Sequence, residues 1–264
     1  MLMNVSEWRK RVLKNKLLNK EFTIGSWVTL GSPDVTEIMA NAAYDWLVVD
    51  LEHSVISIDI AGDLIRIIDL CGVAPLVRLT SNDANQIKRV MDAGAHGIVV
   101  PMINSAEEAR YAVSATRYGP EGIRGVGLAR AQGYGAKFNE YLNWQVDNPI
   151  VIVQVEHINA VDNLEEIISV PGVDGFIIGP YDLSCSMGIP GQFENDKFIE
   201  VMEHIRDTGQ RLNCPTGLHI VEPDLEKLEK SVIEGYIFIA YSVDSRMLDV
   251  AAREGISKFK HIKK

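Results

Sequence analysis

The sequence predicts a single (β/α)₈ barrel, an α/β fold, on three observations. Eight short apolar runs recur along the 264 residues, amphipathic helical stretches separate them, and no compositional break divides the chain. Such barrels routinely run to this length as one domain, so residues 1–264 are read as one barrel domain. The apolar runs lack strict alternation, as strands of a parallel sheet buried on both faces do. An open doubly wound sheet is the rival arrangement.

The N-terminal segment is basic and mildly amphipathic, with Glu7 and no apolar stretch typical of a secretory leader. It reads as a helix covering the bottom of the barrel. The runs expected as strands are Thr23–Val28, Trp46–Val49, Pro75–Arg78, Gly97–Val100, Ile150–Glu156, Gly175–Gly179, Leu212–Gly217 and Tyr236–Ala240. Between them, Asp59–Leu70 sets Ile60, Leu64, Ile67 and Ile68 on one helical face, and Ala106–Ala115 and Leu164–Ile168 behave similarly. Gly94 and Gly235 follow helical stretches, where a left-handed C-terminal stop falls. Residues 118–149 break the rhythm: they are glycine-rich with no strand pattern, and read as a functional loop shared with a neighbouring subunit.

Composition narrows the function. A net charge of −10 argues against nucleic acid as a partner. The apolar runs are too short to cross a bilayer. Cys71, Cys185 and Cys214 form no C-x-x-C pair and suggest reduced thiols in a cytoplasmic protein.

Reactive groups of such barrels come from the C-terminal ends of the strands. The runs that end in polar residues are Val48-Val49-Asp50-Leu51-Glu52-His53, Val77-Arg78, Gln154-Val155-Glu156-His157 and Gly179-Pro180-Tyr181-Asp182. Glu156 and Asp182 are 26 residues apart, one strand–helix–strand unit. That spacing sets two carboxylates on adjacent rims, a donor set that suits Mg²⁺, Mn²⁺ or Co²⁺; each carboxylate capping the next helix is the plainer alternative. Arg78 is suited to clamp a carboxylate or an oxyanion, or to pair with a barrel carboxylate such as Glu156. His53 follows Asp50 and Glu52, which makes it a candidate general base. His157 and His96 rank lower, and His204, His219 and His261 read as helix or loop histidines. No lysine ends a strand, so imine chemistry is not expected. The glycines of Gly122-Ile-Arg-Gly-Val-Gly127 are wrongly spaced for a dinucleotide site.

These residues resemble the metal-dependent class II pyruvate aldolases of the HpcH/HpaI family, which cleave 4-hydroxy-2-oxo acids. The likeness runs from Gly25-Ser-Trp27 to about Val243. It rests on Tyr44-Asp-Trp-Leu-Val-Val-Asp-Leu-Glu-His53, Val77-Arg78 with Asn82-Asp83, Ala115-Thr-Arg-Tyr118, Gly122–Gly127, Val153-Gln-Val-Glu156 and Gly175-Phe-Ile-Ile-Gly-Pro-Tyr-Asp-Leu-Ser184.

The resemblance implies a barrel of the phosphoenolpyruvate/pyruvate-domain type and a carbon–carbon lyase. It releases pyruvate and an aldehyde through a metal-stabilised enolate. Glu156 and Asp182 would bind the divalent metal, His53 would accept the proton, and Arg78 would stabilise the enolate. Gln154 and the backbone at Tyr181 and Asp182 would hold the 2-oxo acid. Asp92 would raise the basicity of His53; Asp50, nearer in sequence, is the alternative partner. The resemblance also implies a hexamer, a trimer of dimers, with a terminal helix exchanged between paired subunits. Two departures stand at the mouth: Tyr181 where a short residue is usual, and His157-Ile158 where Thr-Arg usually follows the metal-binding Glu. An acyl-CoA lyase and a catalytically silent metabolite-binding barrel are the other functions considered. The first is disfavoured because the mouth loops carry no dense basic cluster.

Overall fold

The computed structural model describes residues 12–262, with side chains through residue 260. Eight parallel strands close into a barrel in sequence order. They are β1 (Thr23–Val28), β2 (Trp46–Asp50), β3 (Ala74–Arg78), β4 (Gly97–Val100), β5 (Ile150–Val155), β6 (Gly175–Ile178), β7 (Thr216–Ile220) and β8 (Phe238–Val243). Closure removes the open-sheet alternative, because β1 pairs with both β2 and β8.

The interior is filled, with a deep layer and a mouth layer. Low in the barrel, Trp46 stacks on Phe238 with ring centroids 4.1 Å apart. Gly25 faces that stack, and a Cβ there would collide with the Trp46 ring, so the wide residue on β2 requires the small one on β1. The helix Val12–Leu18 closes the bottom with Leu13 and Leu17, which join Trp27, Trp46, Leu76, Ile152 and Phe238 in one apolar cluster. Lys14 of this helix is buried and pairs with Asp174 at 2.5 Å, while Lys16 pairs with Asp45 at 2.6 Å. The expected N-terminal helix is therefore present as a plug, and its residues 1–11 lie outside the described residues.

Outside the barrel, Ile58–Leu70 turns Leu64, Ile65 and Ile68 onto the strands, and Ser105 and Glu108 form a capping box that starts Ala106–Thr116. No described helix is long and apolar enough to cross a membrane.

Two expectations need correction. Strand seven begins at Thr216 rather than Leu212. The helix Asp196–Arg211 runs up to Leu212, which caps it, and Leu212 and Cys214 pack onto the core from the connection. Their apolar character marks that packing and not a ladder. The last strand is shifted in the same direction, to Phe238–Val243.

Residues 118–149 have no long strand but are ordered by their own small core. They contain a 3₁₀ turn at Arg130–Gln132 and a helix at Phe138–Asp147. Buried Arg124 lies over the Tyr118 ring at 4.2 Å and donates to the Thr116 carbonyl at 2.7 Å and the Tyr141 hydroxyl at 2.6 Å. Tyr141 in turn packs on Tyr118 and Trp144.

Candidate active site

The mouth is built from strand ends. In the register of β2 and β3, Asp50 lies directly beside Arg78, the last residue of each strand. The carboxylate accepts from Arg78 Nε at 2.8 Å and from Nη2 at 2.6 Å. Arg78 therefore pairs with Asp50 and not with Glu156, the partner considered from sequence. Its third nitrogen, Nη1, lies 3.4 Å from Glu52 Oε2, and its plane covers Trp27 with Cζ 4.3 Å from the ring centroid.

The residues after β2 curl over this pair. Asp50 Oδ1 also accepts from the backbone N–H of Glu52 at 3.0 Å and of His53 at 3.3 Å. The His53 ring is largely solvent-facing, and its Nε2 lies 3.6 Å from Glu52 Oε2. Asp50 thus meets His53 through the backbone, and the carboxylate nearest the imidazole is Glu52.

Across the mouth, Gln154 and Glu156 rise from β5, both almost fully buried. Glu156 Oε1 accepts from the Met102 N–H at 2.7 Å, and Oε2 accepts from the Gln154 amide. Gly179 follows β6 close by; an added Cβ would sit 3.1 Å from both Glu156 Cβ and Oε2, a tight approach that would press on the carboxylate. The helix Pro180–Ser186 follows, with Pro180 at its first position and exposed Asp182 in its first turn. Exposed Tyr181 sits edge-on to Phe193, ring centroids 4.9 Å apart, at the outer rim.

The electrostatics are those of crowded acids. Burial raises the Glu156 carboxyl to about 7, helped by Glu52 and Asp182 and opposed by the Met102 and Gln154 hydrogen bonds. Glu52 is raised to about 7 by burial as well, with Arg78 opposing and Asp50 and Asp182 reinforcing. Glu52 Oε2 and Gln154 Oε1 are buried acceptors with no hydrogen-bond partner. Converging carboxylates and orphaned acceptor oxygens are the complement of a hard cation. Among the described residues, no group of three or more His, Cys, Asp and Glu side chains converges on one point, so the chain's own donors would be few.

Two further side chains lie at the mouth that the sequence does not single out. Glu52 was noted only as a neighbour of His53, although its side chain touches both His53 and Arg78. His219, expected as a helix or loop histidine, is on β7 with its ring 5.5 Å from that of Trp27. Burial and the nearby Arg78 charge lower His219 to about 4, which keeps it neutral at pH 7. The misplaced strand seven hid it; the alternation Gly217–Leu218–His219 in the correct register would have turned it inward with Gly217.

Asp92 is not at this mouth within the chain. It closes the helix Ala84–Ala93, which leads from the end of β3 down to the start of β4, and its Oδ1 is 3.8 Å from Arg124 Nη2. Burial raises its carboxyl, and Arg124 and Lys88 oppose the rise. His157 caps the helix Ile158–Asp162 through Nδ1, and His96 pairs with Asp69 at 3.2 Å.

A closed barrel whose mouth gathers an arginine, a histidine and convergent carboxylates is the frame of a carbon–carbon lyase of the aldolase type. The chain belongs to the HpcH/HpaI aldolase/citrate lyase family, whose model matches residues 23–250. It is 42% identical to the hydroxypyruvate/pyruvate aldolase of Sagittula stellata over 87% of this chain and 90% of that protein. It is 39% identical to the 4-hydroxy-2-oxo-heptane-1,7-dioate aldolase of Klebsiella pneumoniae, over 90% of this chain and 89% of that protein. Among solved structures, an HpcH/HpaI aldolase/citrate lyase family protein from Burkholderia cenocepacia superimposes with a TM-score of 0.90 at 31% identity, over 95% of this chain and 100% of that one.

Proposed function

We propose that this enzyme reversibly cleaves a 4-hydroxy-2-oxo acid to pyruvate and an aldehyde, with a divalent cation at Glu156 and Asp182. The observation that carries the proposal is buried Glu156, within electrostatic reach of Glu52 and Asp182 and beside the unpartnered Gln154 Oε1, at a mouth where Arg78 is the neighbouring cation among the described contacts. Such an array is electrostatically unfavourable alone and is relieved by a dication. The relatives named as aldolases of hydroxypyruvate, pyruvate and 4-hydroxy-2-oxo acids support the same substrate class.

A bound Mg²⁺, Mn²⁺ or Co²⁺ supplies Lewis-acid polarisation of the 2-oxo group. The chain's residues do the rest. The Gln154 side chain and the backbone at Tyr181 and Asp182 orient the 2-oxo acid. His53 takes the proton of the C4 hydroxyl, directly or through water. As the C3–C4 bond breaks, its electron pair moves into the C2–C3 bond and the aldehyde departs. Negative charge grows on the oxygen at C2, where the Arg78 guanidinium stabilises it. Protonation at C3 then yields pyruvate.

Asp92 would raise the basicity of His53 only from a second copy, since within the chain it faces Arg124. Exposed apolar residues support self-association into the hexamer that the resemblance implies: Leu248, Ile256 and Phe259 on the helix Asp244–Ile262, and Val126 and Leu128 on the long loop. The test of the activity is pyruvate release from a panel of 4-hydroxy-2-oxo acids, with and without EDTA. Metal-restored release supports the proposal, and EDTA-insensitive release contradicts it.

A further inference from the structure

Asp50 ties the mouth together. It is 1% exposed, and one carboxylate receives four N–H groups: Nε and Nη2 of Arg78, and the backbone amides of Glu52 and His53. Arg78 has five N–H bonds in a rigid fork. Asp50 takes one whole edge of that fork, Trp27 covers a face, and Nη1 alone is turned toward Glu52. The electrophile and the turn that carries the base are therefore fixed by the same two oxygens, across neighbouring strands in direct register.

Resting on the aldolase reading for Arg78 and His53, we propose that Asp50 is the positioning residue that sets Arg78 and the His53 turn relative to each other, leaving Nη1 as the edge offered to the substrate. A neutral amide cannot replace it. Asn keeps one acceptor oxygen, but its NH₂ would face a guanidinium N–H, donor against donor. Bidentate pairing is also beyond a lysine at position 78, which has a point charge in place of a fork.

The test is a cycle of Asp50→Asn, Arg78→Lys and the double variant in the full-length enzyme. Turnover and KM are measured on a substrate the wild type cleaves, and a crystal structure of Asp50→Asn is determined. Asp50→Asn is expected to lower kcat by about a hundredfold, the scale of losing one aligned charge-stabilising donor, with KM changed less than about threefold. The double variant should be no slower than Arg78→Lys alone, because both act through the same fork. The crystal structure of Asp50→Asn should show the Arg78 guanidinium displaced from the Trp27 face. Losses that multiply in the double variant, or a guanidinium left in place, would overturn the proposal. The crystal structure reads the position of Arg78 without any substrate, so a failure of the aldolase reading remains distinguishable. If Asp50→Asn does not fold, Asp50→Glu, which keeps the charge one methylene further out, is put through the same cycle with the same outcomes.

Discussion

The backbone N–H of Met102, just past β4, donates to Glu156 Oε1 at 2.7 Å, so the end of one strand holds the carboxylate of the next. Met102 reaches this position with φ of 53°, in the left-handed region that costs a side chain about 1 kcal/mol or more. The strained turn is offset by fixing one oxygen of Glu156 while the Gln154 amide holds the other.

Glu156→Gln keeps the shape and the Met102 acceptor but removes the charge. The fold should persist with equal or higher stability, since an acid raised to about 7 by burial is no longer present. Binding of Mn²⁺, followed by calorimetry, should weaken by at least about 10–100-fold, a range seen even for groups behind a metal's direct ligands. Affinity within threefold of wild type would remove Glu156 from the metal site.

Arg78→Ala should leave pyruvate binding measurable and lower turnover by about 10²–10³, the usual cost of losing one donor aimed at a developing oxyanion. Steady-state kinetics with pyruvate as product inhibitor checks both. Unchanged kcat would contradict the role given to Arg78.

At the opposite end of the barrel, Lys14 Nζ pairs with buried Asp174 at 2.5 Å and donates to the Pro149 carbonyl at 3.1 Å. Lys14→Met strands the Asp174 charge, and removing one partner of a buried pair costs about 3–5 kcal/mol. Urea unfolding measures this directly. A loss below about 1 kcal/mol would show that the plug helix is held by Leu13 and Leu17 alone.

His219 gives stability a pH dependence. Its folded value is about 4 against an ordinary 6.5, so between these values the unfolded chain binds a proton that the folded chain refuses. The contribution is fully present above pH 6.5 and is lost as pH falls toward 4, by about 3 kcal/mol at most at 1.36 kcal/mol per pH unit. In thermal unfolding from pH 7 to 4.5, wild type should lose stability relative to His219→Asn as the pH falls. Parallel profiles would contradict the assignment.

The fold was legible because strand and helix differ in period, and β1 and β4 were delimited to the residue. Strand seven was not, since Leu212 and Cys214 are apolar through packing outside the ladder. At the site, Arg78, Glu156 and Asp182 were visible as polar ends of apolar runs. The pairing of Arg78 with Asp50 was not, because it depends on the register between β2 and β3, which neither strand states alone. Likewise Glu52 reads as any acid on a turn until the fold sets it against Arg78, and Asp92 lies on a helix whose far end only the topology reveals.

Enolate chemistry on pyruvate is tested most directly by solvent exchange at the pyruvate methyl group, without an aldehyde. Proton NMR in D₂O follows the methyl signal with EDTA-treated enzyme and after addition of Mn²⁺ or Mg²⁺. Exchange should begin only with metal and be absent in Glu156→Ala. No exchange with any divalent metal, or equal exchange in Glu156→Ala, would contradict that chemistry.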